Sequence, residues 1–548
     1  MCDDARVTSA TTAERILVAL SDAGVSAVFG LPGVHNLPFW SHLDAASTHP
    51  TGLRITTVRH EQTAAYAADG LARATGGLGV CLVTSGPGAA NTLAAFGEAA
   101  ASGVPLLVVA SDVPEHLRTR DAVRGLLHES ADQGAWFEPL AKAVFQPRTP
   151  EDAALAISDA ISTAMSHPRG PVYLGVPADV LRDAAPEPPH VATVTPRRPT
   201  ADDITSTVDL INQSRRPVLW IGGGAVASAA DVDTLAWRLG APVFATYAAR
   251  GVLPPGHPLL VDVPAMEPRA RALLGDADLM LVLGSALDGM STANWSLPRP
   301  DRVIDVNLRP SGAYSPDLTV VADVAAFVDG IALRLSGREP WADSPFLIRD
   351  HVRSVARAET LTREAVTVVE AIERAWPPGN PMVCDMAVAA YWVGGYATVH
   401  AARQLLYPVG WGTLGYGLPA AIGVAASGTP TLAVIGDGGL AMATGELATL
   451  AQERLPVTVL VTADGGYGML RYDQRRAGMP ERGVDLDAPD WRALGAAFGV
   501  PVDTPVDADD LGDVLARSAV SGAPRLVVYS ATLSPPRSTS PRWDDSEQ

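Results

Sequence analysis

Two glycine-flanked acids carry the strongest chemical signal in this chain: Gly436-Asp437-Gly438-Gly439 and, further on, Asp464-Gly465-Gly466. The first closes the apolar run TLAVIG, residues 431–436, which reads as a buried strand. A helix-like stretch follows over residues 444–454 (TGELATLAQER), and a second apolar run, VTVLVTA, then ends on Asp464. Strand, helix, strand in that order predicts a parallel pair whose carboxyl ends share one sheet edge, where open α/β sheets bind ligands. Two carboxylates and a loop carbonyl at that edge supply half a coordination shell for Mg²⁺, which completes its octahedron with water and phosphate-ester oxygens. The competing reading is a plain turn, with glycine supplying positive φ and Asp a helix cap. That reading is favoured for either cluster alone; the pairing of the two favours one shared site.

Four further constellations stand beside this one. Arg59-His60-Glu61 opens a helix in which Ala64, Ala65, Ala68 and Leu71 recur at helical spacing and form a small-residue packing face. Glu61 at its start either complements the helix dipole or, desolvated beside that face, holds a raised pKa and donates a proton to a ring nitrogen. Thr84-Ser85-Gly86-Pro87-Gly88-Ala89-Ala90-Asn91 follows the strand over 79–83, and is either a tight turn or a turn that lets backbone approach a ligand. Gly410-Trp411-Gly412-Thr413-Leu414-Gly415-Tyr416-Gly417 exposes carbonyls around the large side chain of Leu414; a flexible glycine loop and a cofactor wedge both fit it. Gly222-Gly223-Gly224, after the strand over 217–221, has the look of a dinucleotide turn. The strand over 242–245 ends in Thr246-Tyr247, without the acid that would hold a ribose.

The elements that must position these residues alternate along the chain. Helix-like stretches over 13–23, 61–75 and 90–101 interleave with apolar strands over 25–29, 79–83, 106–110 and 172–176. Further strands are expected over 217–221, 242–245, 279–283 and 302–306, then over 382–384, 431–435, 457–462 and 525–528. The proline-rich segment 183–199 and the polar stretch 336–363 read as linkers. Alternation of this kind predicts parallel sheets covered on both faces. The 548 residues exceed one core. Hydrophobic residues at 47 % and charged residues at 18 % describe a globular chain. A net charge of −19 without a basic patch argues against nucleic acid as a partner. Cys2, Cys81 and Cys384 lack metal or disulfide spacing, the N-terminal residues are polar and acidic, and no apolar run reaches membrane-spanning length. A cytoplasmic protein with no membrane association is expected. Lys142 is the single lysine, which argues against Schiff-base chemistry and against a Walker-type phosphate loop.

In this order and spacing the clusters resemble the thiamine-diphosphate-dependent enzymes of the acetolactate synthase/2-oxo acid decarboxylase superfamily. The markers are FGLPGVHN (29–36), RHEQTAAYAADGLARATG (59–76), TSGPGAAN (84–91), GPVYLGVPADV (170–180), GTLGYGLPAAIG (412–423) and the 436–466 segment. Within that superfamily, VFGLPGVHNL and LLHESADQ (126–133) are most similar to 5-guanidino-2-oxopentanoate (2-ketoarginine) decarboxylases. The resemblance implies an α/β fold of three doubly wound parallel-sheet domains. Along the chain this gives a pyrimidine-binding domain over 1–183, a central Rossmann-like domain over 201–335 and a diphosphate-binding domain over 364–531, with linkers over 184–200 and 336–363 and a disordered tail over 532–548.

It also implies roles. Asp437, Asp464 and the carbonyl of Gly466 would bind Mg²⁺, which anchors the diphosphate, with Gly436, Gly438, Gly439 and Leu440 bringing backbone to the phosphates. Glu61 would bond the aminopyrimidine N1′, the Gly412 carbonyl would accept from the 4′-amino group, and Leu414 would wedge the cofactor into its bent shape. Ser85, Gly86, Pro87, Asn91, Thr413, Tyr467, Gly468 and Met469 would complete the cofactor's surroundings. The C2 carbanion attacks the 2-oxo carbon, CO₂ leaves, and the resulting enamine is protonated to an aldehyde or, as in acetolactate synthases, joined to a second carbonyl. Glu61 and the metal site would come from facing domains of two subunits, which implies a homodimer or homotetramer. The sequence departs from the family in Ala463-Asp464, where Asn-Asn is common, and in lacking the histidine pair of pyruvate decarboxylases. His128 and Glu129 are then the expected proton carriers, with His35 and His60 as outsiders. The flavin pattern of acetolactate synthases is not evident in residues 284–290, so FAD is not expected. Two other classes stay open on residues alone: a cofactor-binding partner without turnover, and an NAD-dependent dehydrogenase resting on the Gly222 turn.

Overall fold

Apolar strands, half of them buried along their whole length, assemble into three six-stranded sheets whose pairings are all parallel. The computed structural model describes residues 10–43, 52–119, 122–191 and 195–537. The first sheet holds β1 (Ala27–Gly30), β2 (Arg54–Thr57), β3 (Gly79–Val83), β4 (Leu106–Asp112), β5 (Ala143–Phe145) and β6 (Val172–Pro177), in the order β2-β1-β3-β4-β6-β5. The second holds β7 (Pro217–Ile221), β8 (Val243–Ala245), β9 (Leu260–Val261), β10 (Leu279–Leu283), β11 (Arg302–Val306) and β12 (Leu318–Val320), in the order β12-β11-β10-β7-β8-β9. The third holds β13 (Met382–Cys384), β14 (Leu405–Leu406), β15 (Thr431–Gly436), β16 (Val457–Ala463), β17 (Val502–Asp503) and β18 (Arg525–Ser530), in the order β14-β13-β15-β16-β18-β17. The first and third sheets therefore share one topology, and the second has the Rossmann order.

The doubly wound α/β architecture matches the expectation. The six strands that the sequence reading omits (β2, β5, β9, β12, β14 and β17) are the two edges of each sheet. Each has only two to four residues, too few for an apolar pattern to show. The single helix expected over 444–454 is instead a 3₁₀ turn, Thr444–Glu446, and a helix, Leu447–Glu453, preceded by a helical turn Asp437–Ala441 that begins on the acid itself. Glu446 breaks the run: its buried carboxylate accepts from the Arg59 amide at 3.0 Å and the Thr449 hydroxyl at 2.6 Å. The polar stretch 336–363 contains a helix, Leu347–Ala358, packed on Arg363–Ala375. Of the expected disordered tail, residues 538–548 lie outside the described residues, while the start of the segment docks. Leu533 is buried and the Ser534 carbonyl accepts from Trp392 Nε1 at 2.9 Å.

Two helices join the first sheet to the third. Glu61–Thr75 and Gly417–Ala425 cross at backbone contact. A Cβ on Gly423 would lie 1.8 Å from the Ala67 carbonyl oxygen, and one on Gly70 would lie 2.4 Å from that of Ala420. Gly423→Ala is expected to lower the apparent unfolding temperature by on the order of 5 °C, since overpacking costs about 1–3 kcal/mol or more. An unchanged thermal scan would contradict this crossing. Beside it lies a largely buried charge network. Arg73 pairs with Asp69 at 2.6 Å and Glu98 at 3.0 Å, the Tyr416 hydroxyl donates to Asp69 at 2.9 Å, and Glu98 accepts the Trp411 amide at 2.9 Å. Every charge in it has a partner, as burial requires. It ties the 411–416 loop to the helix that Glu61 begins.

Candidate active site

In the third sheet β13 and β15 flank the point where strand order reverses, and the two acids gather there and on β16. Gly436 pairs with Thr462, so Asp437 and Asp464 leave neighbouring strands on the same edge. Asp437 is buried. Its Oδ1 accepts from the Gly438 amide at 2.9 Å, and its Oδ2 from the amides of Gly465 at 2.8 Å and Gly466 at 3.2 Å. The Gly466 carbonyl turns toward the same turn, 3.2 Å from where a Gly438 Cβ would stand. Burial and then the charge of Asp437 push the Asp464 carboxyl above its ordinary range. Like charges held together in a half-buried edge are relieved by a cation, so the donor set fits a hard divalent ion. Among the described residues no three His, Cys, Asp or Glu side chains converge on an ion. The pair would need carbonyl and ligand oxygens to complete the shell. Tyr467 and Gly468 begin the next helix, Gly468–Arg476, and the Tyr467 ring lies against Gly438. Met469 is half-buried there. Arg471, on the same helix, reaches the carbonyls of Asp464 at 3.3 Å and Gly465 at 3.2 Å and clamps the loop.

The Gly412–Leu414 loop is tied to this edge through Asp385, whose carboxylate lies 3.2 Å from where a Gly439 Cβ would stand. Gly412 has φ +69°, with the Met386 methyl the nearest atom to a Cβ there, and Leu414 is half-buried. Asp385, directly after β13, holds the loop in place. Its oxygens accept from Gly415 at 3.2 Å and Gly417 at 2.9 Å, and burial raises its pKa. Asp385 escapes the sequence reading because no glycine follows it; an acid closing a short apolar strand was the available signal. Thr413 Oγ1 meets the Tyr66 hydroxyl at 2.6 Å, which links the loop to the Glu61 helix.

The first sheet carries a second group at its own carboxyl edge. His60 caps the helix through its Nδ1, which accepts the Gln62 amide at 3.1 Å, and Glu61 opens the first turn. Glu61 Oε2 accepts from Asn91 Nδ2 at 3.0 Å, and Gly88 passes close to Oε1. Ser85, Gly86 and Pro87 form the turn between them. Gln133, buried and missed by the sequence reading, accepts the Gly86 amide at 2.5 Å and donates to the Ser111 carbonyl at 3.0 Å. His128 and His35 both reach Ser85. Glu129 does not join them. Its carboxylate accepts the amides of Leu126 at 2.9 Å and Arg124 at 2.8 Å, and these bonds, the one to Leu126 first, lower its pKa.

In the second sheet Gly222 and Gly224 serve close approach. The Gly224 amide donates to the Gly284 carbonyl at 2.9 Å, and Cβ atoms on either glycine would strike that loop. The amide that a phosphate would meet in a dinucleotide turn is already engaged.

The sequence matches three descriptions in register with the sheets. They are the thiamine pyrophosphate enzyme N-terminal TPP binding domain over residues 10–136, the central domain over 204–331 and the C-terminal TPP binding domain over 385–529. The chain belongs to the thiamine pyrophosphate enzymes, in the superfamily of acetolactate synthases and 2-oxo acid decarboxylases. It is 33 % identical over 516 residues to a probable 2-ketoarginine decarboxylase of Pseudomonas aeruginosa, covering 91 % of this chain and 90 % of that protein. It is 28 % identical over 547 residues to a probable acetolactate synthase large subunit of Methanocaldococcus jannaschii, covering 94 % and 91 %. A thiamine diphosphate-dependent 4-hydroxybenzoylformate decarboxylase of Rhodococcus jostii shares the fold, with a TM-score of 0.80, 23 % identity, and 96 % of this chain and 100 % of that one covered.

Proposed function

We propose that this protein is a Mg²⁺- and thiamine-diphosphate-dependent decarboxylase of a 2-oxo acid. The observation that supports this most is the acid pair at the tips of β15 and β16, with the Gly466 carbonyl beside it. In this reading Asp437, Asp464 and that carbonyl hold Mg²⁺ against the diphosphate, and the backbone of Gly438 and Gly439 lines it. Glu61 holds a proton at the pyrimidine nitrogen, the Gly412 carbonyl accepts the neighbouring amino group, and Leu414 supports the bent cofactor. When bound, thiamine diphosphate supplies the electron sink for breaking the carbon–carboxylate bond. Glu129 shapes the loop that presents His128. The likeness to the Pseudomonas aeruginosa protein places cationic 2-oxo acids first among substrates to try. The expected result with a single 2-oxo acid is CO₂ and aldehyde in equal amounts. Ligation product without free aldehyde would replace this reading with its alternative, carboligation of the acetolactate synthase type, which the likeness to the Methanocaldococcus jannaschii protein supports.

The active unit in this reading is a homodimer or a dimer of dimers, with Glu61 and the acid pair supplied by different subunits. Exposed apolar side chains near both halves, Val34 and Leu127 on one and Met442 and Leu470 on the other, support a covered interface. Co-expressed Glu61→Gln and Asp437→Ala chains are expected to regain activity that neither has alone, up to about a quarter of the wild-type sites if subunits mix at random. No recovery in the mixed dimer would place both halves of a site in one chain. Buried free thiols at Cys81 and Cys384 favour a reducing cytoplasm. No helix among the described residues is long and apolar enough to cross a membrane.

A further inference from the structure

We propose that His35, Ser85 and His128 form one proton relay, which delivers the proton that turns the decarboxylated fragment into free aldehyde. This deepens the decarboxylase reading and rests on it. Three segments distant in sequence build the relay. His35 follows β1, Ser85 follows β3, and His128 comes from the loop after β4. β1 and β3 flank the point where the strand order of the first sheet reverses, the crevice in which such sheets bind ligands.

Ser85 is fully buried, with its Oγ 2.6 Å from His35 Nδ1 and 3.2 Å from His128 Nδ1. The two rings stand edge to face with centroids 5.7 Å apart. A hydroxyl has one proton to give and lone pairs to accept with. Between two Nδ1 atoms it donates to one and accepts from the other, so the neutral rings hold opposite tautomers. A proton taken up at the Nε2 of one ring then passes from its Nδ1 to Ser85 Oγ. The hydroxyl's own proton passes on to the second Nδ1, and the second ring releases one from its Nε2. One proton crosses, and no charge stays on the serine.

The surroundings hold this geometry. Gly86, at φ +59°, would place a Cβ 2.7 Å from that of His128, so the histidine segment sits directly on the Ser85 turn. Gln133 fastens the same turn from beneath. His128 itself takes φ +64°, a conformation that non-glycine residues adopt only where their surroundings impose it. Four charged groups bear on the balance. Burial, then His128, lowers the His35 pKa; the Asp112 carboxylate opposes this, and Arg182 reinforces it. Arg118 in turn pairs with Asp112 at 2.5 Å.

Decarboxylation consumes one proton: R–CO–COO⁻ plus H⁺ gives R–CHO plus CO₂. The carbon–carboxylate bond breaks and its electron pair stays on the carbonyl carbon. An imidazole Nε2–H then supplies the hydrogen of the new C–H bond. The other ring refills from solvent. When that proton arrives slowly, the same carbon is free to join a second carbonyl, so the relay favours aldehyde over ligation.

The test begins with full-length, cofactor-free protein carrying ¹³C-labelled histidine. NMR titration between about pH 5 and 8 should show two inflections for both His35 and His128, with opposite tautomers. Ser85→Ala should abolish the opposed tautomers of the two rings, and His128→Gln should remove the second inflection of His35. Tautomers that stay opposed in Ser85→Ala, or an unchanged His35 titration in His128→Gln, overturn the relay. With thiamine diphosphate, Mg²⁺, a 2-oxo acid and an acceptor aldehyde added, the ratio of ligation product to the aldehyde formed from the 2-oxo acid should rise about tenfold or more in Ser85→Ala and His35→Gln. Coupled titrations with an unchanged ratio overturn the assigned role. Wild-type protein that releases no CO₂ from any 2-oxo acid overturns the decarboxylase reading itself, even where the titrations couple.

Discussion

Glu61→Gln is expected to slow exchange of the cofactor's C2 proton by about 10²- to 10⁴-fold while leaving the fold intact. Glu61 opens its helix with Oε2 held by Asn91 and with Oε1 beside Gly88, on the edge that also carries Ser85. Glutamine matches it in size and can still accept the Asn91 hydrogen bond, so packing is kept. A carboxamide cannot share a proton with a ring nitrogen, so the one property removed is acidity. The helix is anchored far from Glu61 by Asp69, Arg73 and the contacts at Gly70, none of which the substitution touches. The apparent unfolding temperature should therefore stay within about 2 °C of wild type. Exchange followed by ¹H NMR in deuterated buffer decides the matter, and a rate within threefold of wild type would remove Glu61 from the proposed mechanism.

Asp437→Ala is expected to weaken Mg²⁺-dependent thiamine diphosphate binding about 100-fold or more, beyond the 10- to 100-fold loss typical of groups that only support a metal's ligands. Two effects act together. The substitution removes one of two carboxylates, and it leaves the amides of Gly465 and Gly466, which Asp437 now accepts, without their partner. The Gly466 carbonyl sits on that same loop, so a second oxygen loses its placement with the first. Isothermal titration of the cofactor at several Mg²⁺ concentrations separates the effects. Loss of the metal ligand steepens the Mg²⁺ requirement, whereas a loosened loop weakens binding equally at every concentration. Binding that keeps wild-type strength and Mg²⁺ dependence would show that the ion sits elsewhere.

Much of this arrangement was legible in the chain itself, for a reason visible at particular residues. β10 and β16 are apolar through nearly every position because parallel strands are covered on both faces, and such runs announce themselves. The six edge strands were illegible because they are short and their pairing is decided by a neighbour distant in sequence. Asp437 and Asp464 could be paired on paper, since one βαβ unit joins them. Asp385 could not, because what marks it out is contact with Gly415 and Gly417 from another part of the chain. Glu129 shows the reverse case: its residue type suits proton transfer, while backbone amides five and three residues before it bond the carboxylate.

The sequence by itself determined the alternation of strands and helices, the two acids at one sheet edge, and the glycines that let two helices and several turns approach at backbone distance. These are local facts, set by side-chain period and by steric freedom at single positions. Tertiary structure alone decided which edges meet. Ser85 lies between His35 and His128 because a strand-order reversal brings three separate loops to one crevice. Arg73 can be largely buried because Glu98 and Tyr416 arrive from other elements to join Asp69, one turn back on its own helix. Both depend on distances across the fold, which no pattern along the chain encodes.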